Sequence, residues 1–194
     1  MYYIGGFMKS ALIMIDIQND YFKGGKNELF GPEAAASNAK KVLEYYRTSG
    51  LPVYHIKHIS NKQGATFFLP DSEGAEIHES VKPIKGEKVL IKHVPNSFFD
   101  TGLADELEMR HIEQITVCGM MSHMCIDTTV RAARDLGFET TLLHDACATK
   151  DLVWENNTIP AGTVHNAFMA ALQGLFAKVV SIDDYLKMQE SMHL

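Results

Sequence analysis

The chain has 194 residues, 46% of them hydrophobic and 22% charged, which is enough apolar material for one full-sized core. Its net charge of −6 comes without any cluster of Lys and Arg, which excludes the footprint of a nucleic-acid binder. Its apolar runs are strand-sized and too short to span a bilayer, so neither nucleic acid nor a membrane is an expected partner. Three cysteines, Cys118, Cys125 and Cys147, cannot all pair with one another, and free thiols point to a reducing compartment, the cytoplasm. The opening MYYIGGFMKS has no basic start, long apolar core or cleavage site. Residues 1–9 are read as an arm on a single domain spanning 1–194.

Along the chain, strand-like and helix-like patterns alternate. Ala11–Ile15 is a continuous apolar run ending in Asp16. Pro32 starts a helical stretch that Gly50 ends, and Pro52–Ile56 is the next strand. Residues 60–86 are polar and irregular, a long loop. Val89–Ile91 is a third strand, ending in Lys92, and Leu103–Arg110 is a short helix. Ile115–Cys118 leads through a tight turn at Gly119 to a helix opened by Cys125, with Ile126, Thr129, Val130 and Ala133 on one face and Gly137 as the stop. Thr140–Leu143 is a fifth strand ending in His144 and Asp145. Ala161–Phe176 is helical, Val179–Ile182 is a sixth strand, and Asp183–Met192 closes the chain as a helix with Ser181 or Asp183 near its cap. Strands apolar on both faces and separated by helices predict a parallel sheet covered on both sides, a three-layer α/β/α architecture of Rossmann-like type. Such sheets place their sites at the carboxyl ends of the strands. Asp16, Lys92 and the turn before Cys125 all stand there.

Those three residue types suit a cysteine hydrolase. Cys125, near the amino end of a helix where free N–H groups and the dipole favour a thiolate, supplies the nucleophile. Asp16 can take the thiol proton and return it to a leaving amine, and Lys92 stabilises the ionised forms of both. Each residue also has a plainer reading: a buried small hydrophobe for Cys125, a turn cap for Asp16, a solvated edge lysine for Lys92. Their coincidence at three strand ends favours the site. Cys118 and Cys147 read as structural.

The segments ALIMIDIQNDYF, KVLIKHVPNSFFDTGL and VCGMMSHMCIDTTVRAARDLG together resemble the three motifs of the isochorismatase-like cysteine hydrolases, the superfamily of nicotinamidases and N-carbamoylsarcosine amidases. The resemblance runs from Ala11 to about Tyr185 and matches Asp16 to the catalytic acid/base, Lys92 to the catalytic lysine and Cys125 to the nucleophile. It implies a six-stranded parallel sheet, a homodimer or homotetramer, and a cis peptide between Met120 and Met121. It also implies the N–H groups of Met121 and Cys125 as oxyanion donors. Nicotinamidases carry an Asp-x-His metal motif after the second strand, where this chain reads VYHIKHIS with Lys57 in the acidic position. His55 and His58 remain, but a lysine among them repels a cation, so no metal and no cofactor are expected. The expected reaction is hydrolysis of a carbon–nitrogen bond in a small amide, carbamoyl or lactam-like molecule through a thioester. The alternatives are vinyl ether hydrolysis with Asp16 as acid and the cysteine a bystander, and a non-catalytic binding protein. Phe22, Phe98, His123 and Trp154 are candidates to line the pocket, with specificity expected in loops 17–31, 60–86 and 149–160.

Overall fold

The computed structural model of the protein describes residues 9–192. Six parallel strands form the sheet: β1 (Ser10–Ile15), β2 (Val53–His58), β3 (Lys88–Lys92), β4 (Gln114–Met120), β5 (Glu139–Ala148) and, after a short hairpin, β8 (Lys178–Val180). Their spatial order is β3-β2-β1-β4-β5-β8, so β1 lies inside the sheet and the chain reverses its direction of winding beside it. Each face has its own core, because side chains alternate along a strand. Leu12 and Met14 point to one face, toward α1 (Pro32–Thr48) and α5 (Ile182–Met192). Ala11, Ile13 and Ile15 point to the other, toward α2 (Leu103–Met109), α3 (Asp127–Asp135) and α4 (Ala161–Leu172). Burial of each Leu or Ile in these layers contributes about 1.5–3 kcal/mol.

Helix α1 shows how directly the residues specify an element. Pro32 occupies its first turn, where no N–H is needed, and the left-handed Gly50 follows its end. Ala35, Ala36, Ala39, Val42, Leu43 and Tyr46 recur at helical spacing and form its buried stripe. At α5 the capping choice resolves to Ser181, whose Oγ accepts the Asp184 N–H at 3.1 Å.

Several elements depart from expectation, among them the sixth strand, which ends at Val180 because Ile182 already belongs to α5. Strand β3 is an edge whose Val89 and Ile91 are exposed, so the sheet is not covered there on both faces. Strand β5 runs on to Ala148, because the pairing slips from Val117↔Leu142 to Gly119↔Cys147 and the strand bulges past Cys118. Residues 149–160 hold an antiparallel hairpin of β6 (Leu152–Trp154) and β7 (Asn157–Ile159), turned by Glu155 and Asn156 at positive φ. Helix α4 stops at Leu172, short of the expected Phe176, and Gly174 at φ 89 carries the chain into β8. Among the described residues no helix is long and apolar enough to cross a membrane. The expected arm, apart from Lys9, lies outside the described residues.

Candidate active site

Asp16, Lys92 and Cys125 meet at the carboxyl ends of β1, β3 and β4. Asp16 leaves β1 at φ 50, its N–H donating to Ile56 O of the neighbouring strand at 3.0 Å, so its side chain turns over the sheet's edge. Lys92 ends β3. Cys125 follows a cis Met120–Met121 peptide and stands in a π-helical turn, Ser122–Ile126, ahead of α3. Met121 O accepts both the Met124 and Ile126 N–H groups, at 3.0 and 3.2 Å, which closes this wider turn. Ser122, fully buried, fastens the turn from below: its hydroxyl lies 3.3 Å from Ala148 O and 2.8 Å from His165 Nδ1.

The three side chains share one ammonium. Lys92 Nζ lies 2.8 Å from Asp16 Oδ2 and donates to Cys125 Sγ at 3.0 Å. It also donates to Val94 O at 3.2 Å and stands 3.1 Å from His58 Nδ1. Relative exposures of 0% for Asp16, 1% for Lys92 and 4% for Cys125 put the group below the surface. Outside the ion pair, neither Asp16 oxygen has a hydrogen-bond partner among the described residues. The Met121 N–H likewise takes no partner there, and the Cys125 N–H takes none outside its own helix.

Burial pulls the Lys92 ammonium down, but Asp16 and Cys125 together outweigh it and hold the group above the ordinary lysine value. The thiol of Cys125 is pushed well up, by burial first and by the Asp16 carboxylate second, against the opposing pull of Lys92. This corrects the expectation of a resting thiolate. A helix end and one cation do not compensate for near-complete burial beside Asp16, so the surroundings favour the protonated sulfur.

Asp16, His58 and Cys125 would by their spacing suit a metal, since their donor atoms lie within 4.8 Å of one another. The Lys92 ammonium already sits within 3.1 Å of all three, and a divalent ion would have to expel a like charge from the same place. The donor set fits the lysine. His55, the other histidine of that motif, faces away and pairs through Nε2 with Glu87 at 2.9 Å.

The pocket candidates scatter. His123 sits on the π turn beside Phe168, its Nδ1 2.5 Å from Thr149 Oγ1. Phe22 is buried in the core and stacks on His78, with ring centres 3.7 Å apart. Phe98 stacks on Phe138 at 5.8 Å, and Trp154 is 70% exposed on the hairpin. The aromatic residue beside the triad's neighbour His58 is instead Phe68, 5.8 Å away ring to ring, with Tyr21 packed 4.7 Å from Phe68. Burial first, with Cys125, Asp16 and Asp20 adding to it, pushes the Tyr21 phenol up. Asp20 ties the 60–86 loop to this place by accepting the Phe68 N–H at 2.6 Å.

Comparison with known proteins gives a consistent picture. Residues 10–184 match the model of the isochorismatase domain. The chain is 51% identical to the isochorismatase family protein YddQ of Bacillus subtilis, over 93% of this chain and all of that one. It is 34% identical to a streptothricin hydrolase of Streptomyces noursei, over 84% of this chain and 59% of that protein. It is 22% identical to the ureidoacrylate amidohydrolase RutB of Variovorax paradoxus, over 92% and 80%. Among solved structures, an isochorismatase-type hydrolase from Oleispira antarctica superposes with a TM-score of 0.90 at 47% identity, covering 95% of this chain and 99% of that one.

Proposed function

The chain belongs to the isochorismatase family of hydrolases, and from that premise we propose that it cleaves a carbon–nitrogen bond of a small amide, carbamoyl or lactam-like compound through a thioester on Cys125. The observation that carries this reading is the single ammonium of Lys92 bridging Asp16 and Cys125 at 2.8 and 3.0 Å in a buried site. A streptothricin hydrolase and an amidohydrolase among the relatives support the class of bond.

As Cys125 Sγ attacks the carbonyl carbon, its proton passes to the Asp16 carboxylate, and the carbonyl oxygen becomes an oxyanion stabilised by the Met121 and Cys125 N–H groups. Collapse of the tetrahedral species breaks the C–N bond while Asp16 gives that proton to the departing amine. Asp16, again a carboxylate, takes a proton from water as its oxygen adds to the thioester. The C–S bond then breaks, the acid leaves, and the sulfur recovers its proton from Asp16. Lys92 stays protonated throughout, so the protein group's net charge is the same whether the proton is on sulfur or on Asp16. A resting thiol suits this sequence, because the proton needs to move only when a carbonyl is present to receive the sulfur.

A panel of small amides, ureido acids and lactams, run beside isochorismate with wild type, Cys125→Ala and Asp16→Asn, tests the reading. Hydrolysis of an amide by wild type and its loss in both variants is the expected result. Isochorismate turnover that survives Cys125→Ala would transfer the chemistry to Asp16 and refute the thioester.

A further inference from the structure

The structure assigns His58 to the same group as a positioning residue: a neutral imidazole, protonated at Nε2, whose Nδ1 accepts from Lys92 and holds the ammonium between Asp16 and Cys125. This rests on the proposed role of the triad but concerns a residue outside it. Three observations place the ring. His58 and Lys92 are register partners at the carboxyl ends of β2 and β3, so their side chains leave the sheet side by side. Gln18, fully buried, grips the His58 peptide from both sides: Oε1 accepts its N–H at 2.8 Å and Nε2 donates to its O at 2.9 Å. A second Nε2 bond, to Ala75 O at 2.8 Å, anchors that clamp to the 60–86 loop. The ring itself lies against Phe68.

The chemistry of the contact fixes the tautomer. An ammonium has only donors, so the nitrogen 3.1 Å from Lys92 Nζ must present a lone pair, and the proton of a neutral ring then resides on Nε2. Lys92 has three N–H groups and four acceptors around it: Asp16, Cys125, Val94 O and His58. A neutral acceptor is the one choice that leaves the charge of the group unchanged. A carboxylate in place of His58 would hold the thiol proton more firmly, and an imidazolium would repel Lys92. Burial, with Lys92 and His93 against the opposing Asp16, brings His58 down to about 4, consistent with a neutral ring at working pH. The residue therefore aims the ammonium without adding charge.

The test compares wild type with His58→Asn, whose Oδ1 can stand where Nδ1 stood, and His58→Leu, which keeps bulk and removes the acceptor. The first readout is the rate of Cys125 labelling by iodoacetamide at pH 8.5, followed by peptide mass. Leu is expected to slow labelling at pH 8.5 at least tenfold, since a displaced Lys92 no longer supports the small thiolate fraction that reacts; Asn is expected to stay within threefold of wild type. Equal labelling in all three, or equal loss in Asn and Leu, overturns the assignment. The second readout, long-range 1H–15N correlation of the wild-type ring, needs no reactive cysteine: Nδ1 unprotonated and Nε2 protonated from pH 6 to 8 is expected, and the reverse tautomer refutes it. Neither readout needs turnover, so failure here is distinct from an empty amide panel.

Discussion

Replacing Lys92 by Met is expected to destabilise the protein severely, and a second replacement, Asp16→Asn, is expected to restore part of the loss. Unit charges 2.8 Å apart attract by about 6 kcal/mol at an effective dielectric of about 20. Desolvation of two fully buried groups offsets most of this in the native protein. Taking away one partner keeps the desolvation and loses the attraction, at a cost of about 3–5 kcal/mol. In Lys92→Met the Asp16 carboxylate would be buried with no partner at either oxygen, since the ion pair is its one polar contact among the described residues. Asn at position 16 removes that charge, so the double variant should be more stable than Lys92→Met alone by about 2 kcal/mol or more. Urea unfolding at pH 7, with matched slopes, measures all four corners of the cycle. Because Lys92 is held above its ordinary value, the stability linked to its own titration is fully present below the unfolded-state lysine value of about 10.4 and is lost as pH rises through the folded one. A double variant no more stable than Lys92→Met, or a single variant within about 1 kcal/mol of wild type, would refute a buried, ionised Asp16–Lys92 pair.

Two further outcomes are expected away from the reacting atoms. Burial alone would push Glu87 up, but Arg47, at 2.7 and 2.8 Å, with the Ile84 amide and His55, carries it down to about 2. Its carboxylate therefore contributes up to about 3 kcal/mol above pH 4.5, lost as pH falls toward 2; urea unfolding of Glu87→Gln should show that deficit at pH 7 and little of it at pH 2.5, and an equal deficit at both would contradict the sign. Asp20→Ala leaves the Phe68 amide without its acceptor, a loss of about 1–3 kcal/mol, and should speed hydrogen exchange at Phe68 at least tenfold while β1 amides are unchanged; unchanged exchange at Phe68 would show that Asp20 does not hold the loop.

How much of this was legible follows from the periodicities involved. Asp16 and Lys92 each end an apolar strand, and Cys125 follows another after a short turn, so a parallel sheet brings them to one end. Their convergence required only the strand order, with β1 between β2 and β4. The π turn was not legible, because five residues, Ser122–Ile126, are too few for a period to separate from that of α3. The hairpin at 152–159 hides behind strands of three residues each, although Glu155 and Asn156 are turn-forming types. His58 read as a leftover of a metal motif, since its role depends on its register with Lys92 across two strands, which no local pattern carries. The upward push on the Cys125 thiol was not legible for a related reason: the helix end is visible in the sequence, whereas burial to 4% exposure comes from elements far apart in the chain. Position in a loop did not single out Phe68, which Asp20 holds beside His58.

The most direct test of the central claim is acid-quenched mass spectrometry of the protein while it turns over an amide that the substrate panel identifies. The account predicts an acyl adduct mapped to Cys125, absent in Cys125→Ala and accumulating in a variant slowed in deacylation. Full turnover with no adduct, undiminished in Cys125→Ala, would contradict a thioester at this residue.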